Sequence, residues 1–418
     1  MTSHHPPRPL LPARSRHALA ACTALLLGAT ATACADPAGD RTAADRTPAA
    51  SSATPATGGT ASPAAPTTSA SPPGERGFTL VATGDVLPHD SIIRRARADA
   101  VGEGYDFAPM LAGVRPVISG ADVAICHMET IYGAEGDYSG YPAFKSPPEV
   151  AAGLRATGYD SCSTASNHTL DDGVEGVTRT LDALDRAGVK HAGSARTERE
   201  ARTPAWLTGG TAKVAHLAYT FGTNVNPLPE DMQWAVSPME PELITRDARA
   251  ARAAGADVVV VSLHWGTEWQ EEPDEDQLAV GEQLTALRTG DRPDIDLIIG
   301  THAHVPQAYE KVNGTWIVYG MGDQIAGDMM NYDGEWDARG NEGSIARFTF
   351  RPPVRSGTRW EVDKAEFLPQ WFDTGRGRVV DLTSSQIADG TEPAEVRERV
   401  RETVLSRGAA KDGLTMAR

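Results

Sequence analysis

Residues 295–304 read IDLIIGTHAH, an apolar run of strand length that passes directly into two histidines. The run predicts a β-strand over Ile295–Gly300. His302 and His304 are spaced by two, so on extended backbone their side chains fall on the same side. Both imidazoles can then reach neighbouring positions of one metal centre. The stretch therefore predicts a strand that ends in a metal-binding pair.

Similar apolar runs recur along the chain, and helical patterns lie between several of them. The predicted strands are Phe78–Thr83, Asp122–Cys126, Ser161–Ala165, Val214–Tyr219, Asp257–Leu263, Ile295–Gly300 and Thr315–Tyr319. The predicted helices are Asp90–Ala100, Pro148–Thr157, Val174–Ala187, Pro241–Ala254 and Asp276–Arg288. Strand, helix and strand in repetition indicate an α/β fold with βαβ units and sheets covered by helices.

The pattern changes after Thr315–Tyr319. Ser344–Arg351 and Trp360–Leu368 predict an antiparallel strand pair that follows that strand without helices between. Glu392–Arg407 predicts a terminal amphipathic helix that packs on the outside. This order favours a mixed two-sheet sandwich with helices outside over a simple doubly wound sheet.

The N-terminal part of the chain is typical of an export leader. Three arginines precede the apolar run Ala18–Ala33, which is too short to span a bilayer comfortably, so residues 1–33 predict a signal peptide. Cys34 follows three small residues and is the predicted lipidation site at the outer face of the cytoplasmic membrane. The alternative is an ordinary secretory signal that is cut near the same place, which would leave a secreted protein.

Residues 34–77 contain the lipidation cysteine and then mainly Ala, Thr, Ser, Pro and Gly, which predicts a disordered tether before a domain at 78–410. The chain has a net charge of −17, and loss of the leader's three arginines makes the exported part −20. This charge argues against nucleic acid and against adsorption to anionic lipid. Any anionic substrate would need a local cation.

Most histidines outside the leader fall just past the end of a predicted strand, together with acids and an asparagine. The five clusters are Asp85 with His89, His127 with Glu129, Asn167 with His168, His264, and His302 with His304. Ligands bind at this edge in α/β folds, because its loops converge on a rigid sheet. Imidazole, carboxylate and amide ligands suit zinc, manganese or iron(II) rather than calcium or magnesium.

Single members of these clusters, and two further histidines of the chain, also have ordinary structural explanations. Asp85 alone suits a helix cap, Asn167 a turn, and His127, His191 and His216 hydrogen-bonded structural roles. Five compatible clusters are harder to explain this way, because buried acids and histidines are costly without a cation. The two remaining cysteines, Cys126 and Cys162, are either a disulfide or two buried thiols.

Seven motifs follow one another along the chain: GDVL at 84–87, ME at 128–129, YPAFKSPPE at 141–149, SNH at 166–168 with Asp171, YTFGTN at 219–224, HWGTEW at 264–269 and GTHAHVPQ at 300–307. In this order they resemble the motifs of the CapA family of poly-γ-glutamate capsule proteins. The family is similar in turn to calcineurin-like metallophosphoesterases. The resemblance therefore implies a four-layer αββα sandwich with mixed sheets.

The resemblance also implies roles for individual residues. The implied metal ligands are Asp85, Glu129, Asn167, His264, His302 and His304. His168, with Asp171, resembles the group that protonates the leaving group. Lys145, Trp265 and Glu268 are implied on the substrate side, although a surface lysine and a packed tryptophan are alternatives. Relatives often have Gly-Asn-Phe where this chain has Gly322-Asp323-Gln324, and these three residues receive no role.

Two departures leave the number of metal ions at one or two. The phosphoesterase motif has a histidine where this chain has Leu87, and Glu129 stands in place of a bridging aspartate. The function implied is metal-assisted hydrolysis or transfer during synthesis, release or anchoring of an anionic polymer such as poly-γ-glutamate. The alternatives are a non-catalytic partner of a membrane polymer synthase, and an extracellular phosphoesterase unrelated to any capsule.

Overall fold

The computed structural model describes residues 77–353, 359–384 and 387–417. The predicted signal peptide, Cys34 and most of the tether lie outside these residues. Within the described part, every helix is too short or too polar to traverse a bilayer.

Strands and helices alternate through the first two thirds of the described chain, as the sequence predicts. The strands are β1 (Phe78–Val86), β2 (Val123–Met128), β3 (Ile131–Tyr132), β4 (Lys145–Ser146), β5 (Ser161–Ser163), β6 (Lys190–Ala192), β7 (Ala205–Gly209), β8 (Ala212–Thr220), β9 (Val258–His264), β10 (Arg288–Thr289), β11 (Arg292–Pro293), β12 (Leu297–Thr301), β13 (Tyr309–Val312), β14 (Thr315–Val318), β15 (Asp323–Ile325), β16 (Glu342–Arg351), β17 (Glu361–Asp373), β18 (Arg378–Asp381) and β19 (Leu414–Met416). The α-helices are α1 (Asp90–Asp99), α2 (Arg115–Ser119), α3 (Glu149–Thr157), α4 (Gly173–Ala187), α5 (Glu198–Ala201), α6 (Pro241–Ala253), α7 (Glu275–Thr285) and α8 (Glu392–Leu405).

Two large mixed sheets organise these elements. The first sheet has the order β18-β17-β16-β1-β2-β5-β6, with β15 beside β1 and β19 beside β17. The second sheet has the order β13-β14-β12-β9-β8-β7. Strands β1, β2, β5 and β6 run parallel in the first sheet, and β8, β9, β12 and β14 run parallel in the second. Their carboxyl ends therefore lie at common edges.

The hydrophobic core divides into layers because strand side chains alternate between the two faces. Leu80 and Ala82 of β1 share an inner cluster with Val258 and Val260 of β9, which packs the two sheets together. Val81 faces the other way, into a cluster with helices α1 to α4. Helices α6 and α7 cover the outer face of the second sheet. The predicted four-layer αββα sandwich is confirmed.

The C-terminal part differs in detail from the expectation. Strands β16 and β17 form the predicted antiparallel pair, but they extend the first sheet, whereas β14 belongs to the second. Helix α8 places Val396, Val400 and Val404 in the inter-sheet cluster rather than on an outer face. Strand β19 pairs with β17, so the folded part continues past residue 410.

Cys126 and Cys162 occupy neighbouring positions on the parallel strands β2 and β5. They form a disulfide, which decides between the two alternatives left by the sequence. Cys126 directly precedes His127 in the chain, so the disulfide adjoins that histidine.

Candidate metal centre

The predicted metal ligands come from five strand ends that converge at one end of the sandwich. Asp85 lies near the end of β1, and Glu129 directly follows β2. Asn167 lies in the loop after β5. His264 ends β9, and His302 directly follows its parallel neighbour β12. The two sheets thus bring residues more than 200 positions apart into one cluster.

The contacts show that all six side chains lie together and are buried. His264 Nε2 lies 2.9 Å from Asn167 Oδ1 and 3.8 Å from Glu129 Oε1. His304 Nε2 lies 3.9 Å from the same Glu129 oxygen. The backbone N–H of His302 donates to Asp85 Oδ2 at 3.0 Å. The geometric expectation drawn from the sequence is therefore met, while the role of each residue as a ligand stays a prediction.

Asp323 belongs to the same cluster, although the sequence reading gave it no role. Strand β15 runs parallel to β1 and places Asp323 directly beside Asp85. His304 Nδ1 donates to Asp323 Oδ1 at 3.0 Å. One signal was available in the sequence, since Gly322-Asp323 repeats the Gly84-Asp85 pair at a strand of the same sheet.

His127 also lies in the cluster and combines a structural contact with a second, unpartnered nitrogen. Its Nδ1 is 2.7 Å from Ser163 Oγ, and its ring stacks on His264 at 4.7 Å between centroids. Its Nε2 lies 3.6 Å from Asp85 Oδ1. The hydrogen-bonded role predicted for His127 is correct but incomplete.

Four sets of side chains in the described residues have potential ligand atoms within 4.8 Å of one another. They are Asp85, His127 and His264; Glu129, His264 and His302; Glu268, His302 and His304; and Asp85, Glu129, His304 and Asp323. Glu129 belongs to two of these sets, as do Asp85, His264, His302 and His304, so the four sets overlap in one continuous cluster.

Unpartnered polar atoms identify what this cluster is suited to hold. The buried atoms without a hydrogen-bond partner include Asp85 Oδ1, both oxygens of Glu129, Asp323 Oδ2, His302 Nδ1 and His127 Nε2. Burial of a polar atom without a partner costs about 1–3 kcal/mol, and more for a charge. One or two divalent cations would satisfy these atoms together, and the mixed carboxylate and imidazole set suits such ions. The residues present therefore fit a divalent metal.

The pKa shifts in the cluster follow the same logic. Burial and then the neighbouring Asp323 raise the pKa of Asp85 well above its ordinary value, and burial and Asp85 do the same for Glu129. Burial holds the pKa of His264 and His302 well below the ordinary value, so both imidazoles are neutral and able to bind a metal. Burial also opposes the charge on His304, but Asp323 and the other carboxylates outweigh it and raise that pKa.

His168 lies beside the cluster and is held by an acid. Its Nδ1 is 2.6 Å from Asp171 Oδ2, and its ring packs edge-on against Phe144 at 4.7 Å between centroids. Because Asp171 accepts a hydrogen bond from Nδ1, we assign the ring proton to Nδ1, and Nε2 is the ring nitrogen that this contact does not occupy. This is the geometry of a positioned proton donor or acceptor.

The three predicted substrate-side residues have different placements. Trp265 is only 1% exposed, donates its indole N–H to the Tyr319 carbonyl at 2.9 Å, and belongs to the cluster under α6 and α7. Its prediction as a substrate contact is wrong, because the ring faces the outer core. Lys145 is partly buried and ion-paired to Asp137 at 2.5 Å. Glu268 lies beside His302 and His304, where it can also act as a ligand.

Three exposed aromatic rings lie next to a residue of the cluster or next to the residue that packs on His168. Phe221 is 49% exposed and lies 4.6 Å from the His302 ring. Tyr141 is 75% exposed and contacts Phe144, the residue that packs on His168. Tyr332 is 71% exposed and lies near Glu268, and partial burial of its hydroxyl together with this carboxylate raises its pKa to about 12. We call Phe221, Tyr141 and Tyr332 the aromatic rim of the site.

Residues 79–328 match the family model described as bacterial capsule synthesis protein PGA_cap. The chain belongs to this family. The match spans the clustered strand ends from β1 to β15, and it confirms the predicted resemblance.

Several curated relatives of this chain are named as polymer-synthesis or capsule proteins. A probable polyglutamine synthesis accessory protein of Mycobacterium tuberculosis is 27% identical over 217 residues, which are 49% of this chain and 55% of the relative. The PGA biosynthesis protein CapA of Bacillus subtilis is 25% identical over 211 residues, 50% of this chain and 51% of the relative. The chain spans about half the length of the curated relatives it matches.

Among solved structures, this PGA_cap protein is similar to the calcineurin-like phosphoesterase YfkN of Bacillus subtilis. The TM-score is 0.42 at 14% identity, over 80% of this chain and 99% of that chain. A putative 5′-nucleotidase from Staphylococcus aureus gives a TM-score of 0.44 at 16% identity, over 78% of this chain and 58% of that chain. Similarity at this level concerns the fold and says nothing of activity.

Proposed function

We propose that this protein is an exported, metal-dependent hydrolase or transferase in the synthesis, release or anchoring of an anionic capsule polymer such as poly-γ-glutamate. The observation that carries the proposal is the convergence of acids, an amide and imidazoles from five strand ends, with several buried oxygen and nitrogen atoms unpartnered. The predicted leader of residues 1–33, with Cys34 as the predicted lipidation site, supports export and a lipid anchor on the outer face of the membrane.

Each residue of the site has a defined task in this proposal. When bound, a manganese, zinc or iron(II) ion would supply Lewis-acid chemistry to a water molecule and to a carbonyl or phosphoryl oxygen. Asp85, Glu129, Asn167, His264, His302 and His304 would hold it. His168, oriented by Asp171, donates a proton to the leaving group. The acidic surface repels an anionic chain elsewhere, so the cation is what draws a carboxylate or phosphate to the site.

The test uses the full-length protein stripped with a chelator and reloaded with Mn²⁺ or Zn²⁺. We expect it to cleave bis(p-nitrophenyl) phosphate or γ-glutamyl oligomers, and His302→Ala to lose that activity. His191→Ala is the matched control, since His191 lies on β6 and pairs with Asp185 and Glu200 away from the cluster. Equal turnover in His302→Ala and wild type would refute the proposal.

A second candidate is a non-catalytic partner of a membrane polymer synthase that uses the same site for binding. The Mycobacterium tuberculosis relative, named a probable polyglutamine synthesis accessory protein, favours this candidate. It predicts that the metal-loaded protein binds γ-glutamyl polymer without turning it over. Cleavage of the phosphoester alone, with no affinity for the polymer, would instead indicate an extracellular phosphoesterase unrelated to a capsule.

A further inference from the structure

Two of the four overlapping ligand sets share Glu129 and form two chemically unequal halves of the candidate metal centre. One half adds Asn167, His264 and His302, which gives two imidazole nitrogens, an amide and a carboxylate. The other adds Asp85, His304 and Asp323, which gives three carboxylates and one imidazole. Imidazole-rich sites favour zinc, whereas oxygen-rich sites favour harder ions such as manganese.

The oxygen-rich half depends on a residue from an unexpected strand. Leu87, two positions after Asp85, offers no ligand because its side chain is aliphatic. It is buried with Phe144, Ala326 and Met329. Strand β15 fills this side of the site instead, and its Asp323 is fully buried beside Asp85. Two adjacent buried carboxylates repel each other, and a cation between them removes that repulsion.

The two oxygens of Asp323 have different environments. Oδ1 accepts the Nδ1–H of His304 at 3.0 Å, which turns His304 Nε2 towards Glu129. Oδ2 is buried and receives no hydrogen bond from an N–H or hydroxyl group among the described residues. The first oxygen orients a neighbouring imidazole, and the second remains available as a ligand.

We propose that Asp323 is a metal ligand that completes the oxygen-rich half and makes it selective for Mn²⁺, while the imidazole-rich half takes Zn²⁺. The inference rests on the proposed metal dependence and specifies how many ions are held, and where. It assigns one ion to each half. It also predicts that a single substitution weakens the binding of one ion and leaves the binding of the other unchanged.

The substitution Asp323→Asn separates ligation from orientation. The asparagine oxygen can still accept from His304 Nδ1–H, but its amide nitrogen replaces the free Oδ2 and cannot bind a cation. A purely orienting Asp323 predicts that this variant keeps its metal affinity. A ligand predicts that Mn²⁺ binding weakens while Zn²⁺ binding stays the same.

The experiment measures metal binding by full-length, chelator-stripped protein, with no activity assay. Calorimetry first titrates one equivalent of ZnCl₂ and then MnCl₂, and electron paramagnetic resonance counts bound Mn²⁺. We expect wild type to bind one Zn²⁺ and then one Mn²⁺, and Asp323→Asn to bind Mn²⁺ at least about 10-fold more weakly with Zn²⁺ affinity unchanged. Asp328→Asn, which removes an exposed acid paired with Arg94, should match wild type.

The outcomes distinguish this inference from the proposed function. Mn²⁺ affinity of Asp323→Asn within about twofold of wild type would overturn the inference and leave metal dependence intact. A wild type that binds neither ion would overturn both. The melting temperature of the chelated variant checks the fold: a variant that melts like chelated wild type and loses only the Mn²⁺-induced rise supports the assignment.

Discussion

His168 Nδ1 lies 2.6 Å from Asp171 Oδ2, and the same oxygen accepts the backbone N–H of Phe144 at 2.8 Å. Asn226 Nδ2 approaches the other carboxylate oxygen at 3.4 Å. The acid is thus fixed from several sides, and it fixes the ring orientation of His168 in turn. The pair connects the loop after β5 with the loop that carries Phe144 and Lys145.

We expect Asp171→Asn to reduce kcat by about 10- to 100-fold, because the ring loses its orienting acceptor. His168→Ala should cost about 100- to 10,000-fold, which is the usual effect of losing a positioned proton donor. Both kcat and KM are measured with metal-reloaded protein across pH. Asp172→Asn is the matched control, since Asp172 pairs with Arg179 beside the site. A full kcat in Asp171→Asn would show that Asp171 has no part in orienting His168.

Chelation is expected to destabilise the protein, and more so at higher pH. The folded, metal-free protein holds Asp85 and Glu129 with raised pKa, so it binds more protons than the unfolded chain and loses stability as pH rises above about 4. A bound cation stabilises the ionised forms, by about 2.7 kcal/mol at 100 times Kd. The metal-induced rise in Tm should therefore grow from about pH 5 to about pH 8. A rise that shrinks over this range would contradict the assignment of these acids as ligands.

The sequence predicted most of the fold and of the site, because both depend on local pattern. Apolar runs of strand length followed by His264 or by His302 and His304 identify the strand ends without any knowledge of pairing. The edge at which they meet then follows from parallel sheet geometry. The four layers follow from helices between parallel strands, together with antiparallel strands near the C-terminus.

The parts that failed depend on which strands become neighbours. Asp323 begins a three-residue strand, and only its pairing with β1 places it beside Asp85. Trp265 directly follows His264, yet adjacent side chains on extended backbone point to opposite faces, so one lies in the cluster and the other in the outer core. His264 and Trp265 belong to the same motif, so the motif alone does not predict which of the two side chains enters the cluster.

His216 gives a prediction about acid stability. It is fully buried, with Nδ1 2.9 Å from Ser161 Oγ and Nε2 2.8 Å from Ser262 Oγ, which agrees with its predicted structural role. Burial lowers its pKa from 6.5 to about 3. The unfolded chain therefore binds the proton more readily, and stability is lost as pH falls from 6.5 towards 3, by up to about 1.4 kcal/mol per pH unit.

We expect His216→Gln to be less stable than wild type near pH 7.5, by about 1–3 kcal/mol, because the two serine hydroxyls lose a well-placed partner. Its stability should also fall less steeply on acidification, since the group that takes up the proton is gone. Urea unfolding of both metal-loaded proteins at about pH 7.5 and about pH 5 gives the two free energies. The same loss of stability in both proteins would assign the acid sensitivity to other groups.

We expect substitution of Phe221 to weaken substrate binding and substitution of Trp265 to reduce stability. Phe221 is exposed and lies over His302, so Phe221→Ala should raise KM with a change in unfolding free energy within about 0.5 kcal/mol. Trp265 is buried and stacks on Tyr319, so Trp265→Ala should lower that free energy by about 3–5 kcal/mol. Urea unfolding and steady-state kinetics on the same preparations compare them. A Phe221→Ala variant that loses stability but keeps its KM would place that ring in the core rather than in the aromatic rim.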